Sequence, residues 1–380
     1  MFSFIPAPAP ESNLIFKKVL ELCNREIRPI AALDDKDERF RKELFNQLKK
    51  EGLTSLLVPK DWGGQNVSQR VYYQVLTEIA KASASYSITV GVHQMIQGAV
   101  LQFGNQKLKQ SFLPGLVTGK DLGAFSLSES NSGSDAAHLR TTAHKQAGSY
   151  ILNGTKMWCS NGSDADVFLV MARTGGPGAK GISAFLIRKG IPGFHIGKKE
   201  KKLGLKHSSL TELVFENCEV PSEQRLGQEG EGFFVALSQL DSGRIGIAAT
   251  ALGLAQEVFT VLWKENSQSH RWALTEGDRS LWAELFAKIQ SVGSLLLFTY
   301  EQKQLGNPIT ALASQCKLLA SDLAMQVSSV ALETTGPAGL NPELGLERIF
   351  RDAKALQIVE GTNQIQKIIL AKELDKEVQH

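Results

Sequence analysis

Apolar residues recur at three- and four-residue spacing from about Glu11 to Thr118, as in Leu14, Val19 and Leu22 and again in Phe40, Leu44, Phe45 and Leu48. That period puts them on one helical face, so this stretch is predicted to be helical. Pro59, Trp62-Gly63-Gly64 and Pro114-Gly115 are predicted to break it into helices of moderate length. Between Lys120 and Pro221 the pattern shortens to the runs GAFSLSE, YILNG, VFLVMAR, ISAFLIR and LVFENCEV, which read as strands. Asn153-Gly154, Asn161-Gly162 and Gly175-Gly176-Pro177-Gly178 supply the positive φ that hairpin turns need. From Gly232 the helical period returns in four blocks, Phe233 to Glu265, Arg279 to Leu305, Pro308 to Thr334 and Leu346 to Val359, with a last helix from Gln364. Four long helices of similar length suggest a bundle. The expected architecture is α+β in three domains: an N-terminal helical domain over 1–119, a central β-barrel or sandwich domain over 120–226, and a C-terminal four-helix bundle over 227–380.

The chain has 380 residues, 42% hydrophobic and 21% charged, enough for a sizeable core without a disulfide or metal staple. Forty-two Lys and Arg against 39 Asp and Glu give a net charge of +3, far from the basic surface of a nucleic-acid binder. Cys23, Cys159, Cys218 and Cys316 are scattered, and read as reduced, buried thiols of a cytoplasmic protein. The opening MFSFIPAPAPESN lacks a basic n-region and reads as an extended arm. No run of about 18 apolar residues is present, so membrane insertion is not expected. His93, His138, His144, His195, His207 and His270 lack metal-ligand spacing and a nucleophile to serve, so metal chemistry is not expected either.

Two patterns invite a stronger reading than they support. Gly176, Gly178 and Gly181 match G-x-G-x-x-G, but they lie between two strand-like runs with no following helix, and read as a hairpin. Lys198-Lys199-Glu200-Lys201-Lys202 could approach a phosphate, yet such runs are usually solvated loop charge.

The end of the chain carries the sharper signal. Ile358-Val359-Glu360-Gly361-Thr362-Asn363-Gln364-Ile365-Gln366 sets a carboxylate just before a helix with Ile365, Ile368 and Ile369 on one face. Asn363 and Gln366 have capping-box spacing, and Gly361 allows close approach of the backbone. Taken locally, Glu360 is an acidic residue favoured by a helix N-terminus.

The phrase VEGTNQIQ resembles the EGT motif of the acyl-CoA dehydrogenases, and the resemblance runs through nearly the whole chain. GAFSLSESNSGSD, from Gly123 to Asp135, is similar to that family's first signature. Lys156-Met157-Trp158-Cys159-Ser160-Asn161-Gly162 is similar to its K-x-W-I-T-N-G phrase, and Leu240 to Ala248, LDSGRIGIA, to its L-D-x-G-R-I-G-I-A phrase. Phe350-Arg351-Asp352-Ala353-Lys354 is similar to its Y-R-D-A-R, which orders the turn bearing the base. The resemblance implies an FAD cofactor lined by Phe125, Leu127, Ser128, Gly133, Ser134, Trp158 and Ser160, with Thr362 and Gln364 also in reach. It implies an acyl-CoA substrate near Ser134, Asp241, Arg244 and Gly361. Glu360 would remove the α-proton, the β-hydride would pass to flavin N5, and the Glu360 N–H with the flavin ribityl chain would hold the thioester carbonyl. Some branches carry their base at the position of Gly243, which a glycine cannot fill. The implied electron acceptor is an electron-transfer flavoprotein, and the implied assembly a homodimer or tetramer.

Two family phrases depart from the pattern. R-x-x-F-G is replaced within Ser269 to Gly277, where Arg271 stands in a shifted register, and Q-x-x-G-G-x-G-Y is replaced by Glu333-Thr334-Thr335-Gly336-Pro337-Ala338-Gly339-Leu340. Both bear on the adenosine end of the flavin in a neighbouring subunit. Val359 and Gly98 leave room for a medium or longer straight acyl chain. The alternatives are a flavoprotein acting on an acyl-carrier-protein thioester, an oxidase, or a non-catalytic flavin- or DNA-associated protein on the same scaffold.

Overall fold

The computed structural model describes Phe4 and residues 13–269 and 274–378; most of the expected N-terminal arm, with His270 and Arg271, lies outside the described residues. The first region is helical: α1 (Asn13–Leu22), α2 (Ala31–Asp37), α3 (Lys42–Lys50), α4 (Gln69–Ala82), α5 (Ala84–Phe103) and α6 (Gln106–Val117). Ser68, Ser83 and Asn105 cap α4, α5 and α6, each side chain accepting the backbone N–H three residues on. Two expectations fail here. Leu14 is exposed rather than in the core. Pro114 lies inside α6 instead of breaking it; buried Leu113, Leu116 and Val117 hold the last turn down, and the Pro114 carbonyl is satisfied by the Thr118 N–H and hydroxyl.

Eight strands follow: β1 (Gly123–Ser126), β2 (Thr142–Gln146), β3 (Ser149–Ser160), β4 (Val167–Arg173), β5 (Ile182–Arg188), β6 (Phe194–Lys199), β7 (Leu210–Pro221) and β8 (Arg225–Leu226). They form one sheet in the order β6-β7-β3-β2-β4-β5-β8, with β1 parallel to β4. One face encloses Tyr150, Leu152, Phe168, Phe185, Phe194 and Phe215. The loop over 174–181 joins antiparallel β4 and β5, so the glycine triplet is a hairpin as expected, with the Arg173 guanidinium donating to the Gly176 carbonyl at 2.6 Å. Asn153-Gly154 is no turn. It sits within β3 at a register shift against β7, where a Cβ on Gly154 would lie 2.7 Å from the Thr141 backbone.

The last region comprises α7 (Gly232–Ser269), α8 (Glu276–Gln304), α9 (Thr310–Thr335), α10 (Leu346–Leu356) and α11 (Asn363–Val378). The expected equality of length fails, because α10 has only 11 residues and the chain turns at Gln357. Both α10 and α11 pack on α9, while α4 and α5 pack on α7. Helix α7 is therefore a central helix, which is why residues 232–264, long and apolar enough to cross a membrane by length and composition, are 89% buried over their most apolar window. The segment Glu276–Gln304 also meets that test and is 33% buried. All four cysteines are free and buried, as expected.

Candidate active site

A cavity of about 500 Å³ lies between α4, α5, α7 and the turn that follows α10. Leu76, Ile88, Val92, Met95, Ile247 and Val359 give it apolar walls. Gly91, Gly98, Gly243 and Gly246 line it without side chains, which leaves a slot between α5 and α7.

Glu360 stands in the turn between α10 and α11 with φ 55°, followed by Gly361 at φ 88°. A non-glycine residue in this left-handed region costs about 1 kcal/mol or more. The turn is held by Gln366, whose buried amide donates to the Glu360 carbonyl at 3.1 Å and the Gly361 carbonyl at 2.9 Å. The carboxylate lines the cavity, and its buried Oε2 has no hydrogen-bond partner among the described residues. Burial raises its pKa to about 7, against the opposing pull of Arg244 and Lys317. A Cβ at Gly243 would lie 2.6 Å from Oε2, so this glycine makes the space the carboxylate occupies.

Arg244 is 6% exposed and donates to Asp241 Oδ1 at 2.7 Å, while Thr310 donates to Asp241 Oδ2. This is a buried ion pair beside the base, not a surface one. Lys317 of α9 has no counterpart among the residues singled out from the sequence. It is fully buried and donates to Asn363 Oδ1 at 2.7 Å; burial lowers its pKa to about 8, opposed by Glu360. The sequence signal is a lone lysine among Cys316, Leu318, Leu319 and Ala320 on a helix. Asn363 also donates to Ser321 and Asp322, so it ties α11 to α9. The expected capping box is therefore absent: the Thr362 hydroxyl accepts the Ile365 N–H instead. Gln364 is exposed, and of the expected apolar face Ile368 is 50% exposed. Arg351 and Asp352 bind the Leu203 carbonyl and the Leu205 N–H, so they fix a loop lining the cavity more directly than the Glu360 turn.

At the sheet, β3 shifts register between Lys156 and Cys159, and Trp158 adopts φ 56°. Lys156 points inward, fully buried, to Glu129 at 2.8 Å and the Leu127 carbonyl at 3.1 Å. Trp158 consequently points out and is 47% exposed, so it is not a core residue. Glu129 accepts the Arg140 and Thr141 N–H groups as well, closing the loop that carries Ser128, Gly133 and Ser134. Ser128 accepts the Met157 N–H through its carbonyl. Phe125 and Ser128 are half-buried, Leu127 is buried, and Gly133 and Ser134 are exposed, with open space around Gly133. Ser160 reaches the cavity wall, and so does Lys202, which departs from the solvated reading of its charge run. Burial lowers the Lys202 pKa to about 8, and its ammonium donates to the Ser208 carbonyl. His93 is structural: it bridges the Leu116 carbonyl and the Gly123 N–H, and burial lowers its pKa to about 4.

Family models for the acyl-CoA dehydrogenase N-terminal, middle and C-terminal domains match residues 9–120, 124–218 and 230–374. An acyl-CoA dehydrogenase of Bacillus subtilis is 39% identical over 96% of this chain and 98% of its own length. The chain belongs to the acyl-CoA dehydrogenase family. The solved butyryl-CoA dehydrogenase of Megasphaera elsdenii matches with a TM-score of 0.92 at 34% identity, covering 98% of this chain and 100% of its own. A structure described as the electron transferring flavoprotein of Acidaminococcus fermentans matches with a TM-score of 0.94 at 33% identity, covering 97% and 99%. Membership brings an FAD cofactor and oxidoreductase chemistry. The residues present fit that group: an outward indole and an open glycine loop offer a flat surface and close backbone approach, and Ser160 on the same strand as Trp158 reaches the cavity wall.

Proposed function

We propose that this acyl-CoA dehydrogenase removes the α-proton and β-hydride of a short- to medium-chain acyl-CoA, with Glu360 as the base. The observation that carries it is the Glu360 carboxylate, whose buried Oε2 has no partner among the described residues and whose pKa is raised to about 7, beside a glycine-lined apolar slot. Bound FAD would accept the β-hydride. Phe125, Leu127, Ser128, Gly133, Ser134, Trp158 and Ser160 would hold the flavin, with Thr362 and Gln364 also in reach. Ser134, Asp241, Arg244 and Gly361 lie along the acyl-CoA. The Glu360 N–H has no backbone acceptor among the described residues and supplies a donor for the thioester carbonyl as negative charge develops there.

The Megasphaera relative argues for a shorter chain than Val359 and Gly98 alone suggest, and Gln239 narrows the slot at Gly98, 3.4 Å from a Cβ built there. The Acidaminococcus likeness supports an electron-transfer flavoprotein as acceptor. Exposed Leu340, Ile368 and Leu374 support a homodimer or tetramer, and the reading places the enzyme in the cytoplasm. Turnover of butyryl- to palmitoyl-CoA with a dye acceptor, followed by mass spectrometry, tests this reading. Products two hydrogens lighter are expected, best at the shorter lengths; no such product at any length overturns it.

Two variants probe the base's surroundings. Lys317→Met removes a cation that favours the Glu360 carboxylate, so its pKa rises and less base is available at a given pH. The pH of half-maximal flavin reduction is expected to move up by about one unit, as read by stopped-flow absorbance. Gly243→Ala inserts a methyl group against Oε2, and flavin reduction is expected to slow by about tenfold or more, with flavin content unchanged.

A further inference from the structure

Lys303, near the end of α8, lines the acyl cavity with Tyr73 of α4 and Ser242 of α7. Its ammonium donates to Tyr73 Oη at 2.9 Å and to Ser242 Oγ at 2.5 Å. An ammonium has three donors, so one remains. Both partners are neutral. Asp241 is the acid that acts on Lys303, but its two oxygens are taken by Arg244 and Thr310, and among the described residues no carboxylate forms an ion pair with Lys303. The charges acting on Glu360 are Arg244 and Lys317, whereas the group around Lys303 is built from α4, α7 and α8.

A purely aliphatic chain packed against this wall would leave a desolvated ammonium facing hydrocarbon, which is costly. We propose that the cavity accepts acyl-CoA thioesters whose distal end carries a carboxylate, and that the free N–H of Lys303 binds that carboxylate beside Tyr73. The proposal rests on the dehydrogenase reading above and adds the substrate's far end. Between the two ends the walls stay apolar at Leu76, Ile88 and Ile247, suited to the intervening methylenes.

The test compares anaerobic flavin reduction in the FAD-loaded enzyme by hexanoyl-CoA with adipoyl-CoA, and by octanoyl-CoA with suberoyl-CoA, in the wild type and in Lys303→Met. The wild type is expected to be reduced by at least one of the ω-carboxyl thioesters. Lys303→Met is expected to lower kcat/KM for it by at least about tenfold, while the rate with the matching monoacid stays within about threefold. Reduction by monoacids alone in the wild type overturns the proposal and leaves the dehydrogenase reading standing. Equal loss on both substrate classes in Lys303→Met also overturns it, since that marks a structural lysine. Failure of every thioester to reduce the wild type overturns both readings.

Discussion

Replacing Glu360 with glutamine is expected to leave FAD bound and to slow flavin reduction by acyl-CoA by roughly 10²- to 10⁴-fold or more. The exchange preserves shape and removes the basic oxygen. Because Oε2 makes no hydrogen bond among the described residues, the variant loses no structural contact there, and the Gln366 clasp on the Glu360 backbone is untouched. Stopped-flow bleaching of the oxidised flavin band measures the rate, and the visible spectrum reports flavin content. Rapid reduction in Glu360→Gln removes Glu360 from the role of base.

The second large effect lies in the sheet. Glu129→Ala is expected to cost about 3–5 kcal/mol of stability, because it leaves the Lys156 ammonium buried without its partner. Burial would raise the Glu129 pKa, but Lys156 and the Thr141 and Arg140 donors outweigh it and hold it below its ordinary value. That contribution is present above the unfolded carboxylate range and is lost as pH falls through the lowered folded value. FAD should dissociate more readily as well, since the same pair turns Trp158 outward and closes the Ser128–Ser134 loop. Urea unfolding and flavin retention on gel filtration check both effects. The double variant Glu129→Ala/Lys156→Met is expected to recover much of the stability; a double variant no more stable than the single one would contradict the ion-pair account.

Much of the fold was legible because long periodic segments announce themselves: α7, α8 and α9 lie close to their apolar blocks, and β4 and β5 are continuous buried runs. The sequence says less where a strand is polar. Strands β2 and β6 carry Thr142-Ala143-His144-Lys145-Gln146 and Phe194-His195-Ile196-Gly197-Lys198-Lys199, largely solvent-facing, and their pairing follows from neighbours rather than composition. Turn chemistry misled at Asn153-Gly154, where a bulge needs the same backbone freedom as a hairpin.

For the site, VEGTNQIQ pointed to Glu360 by resemblance, but nothing local shows that its Oε2 is buried against Gly243. The lysines were least legible. Of these only Lys202 stands in a run that reads as surface charge, yet Lys156, Lys202, Lys303 and Lys317 each turn toward the interior or the cavity. The partners of Lys156 and Lys317, Glu129 and Asn363, are 27 and 46 residues away along the chain, beyond any local pattern.

Anaerobic mixing of the FAD-loaded protein with butyryl-CoA, repeated from about pH 6 to 9, tests the central claim most directly. Loss of the oxidised flavin band is expected, with a rate that rises with pH through a single ionisation of about 7, the raised pKa of Glu360. Bound flavin that stays oxidised at every pH, with butyryl-CoA and with longer acyl-CoAs alike, would contradict it.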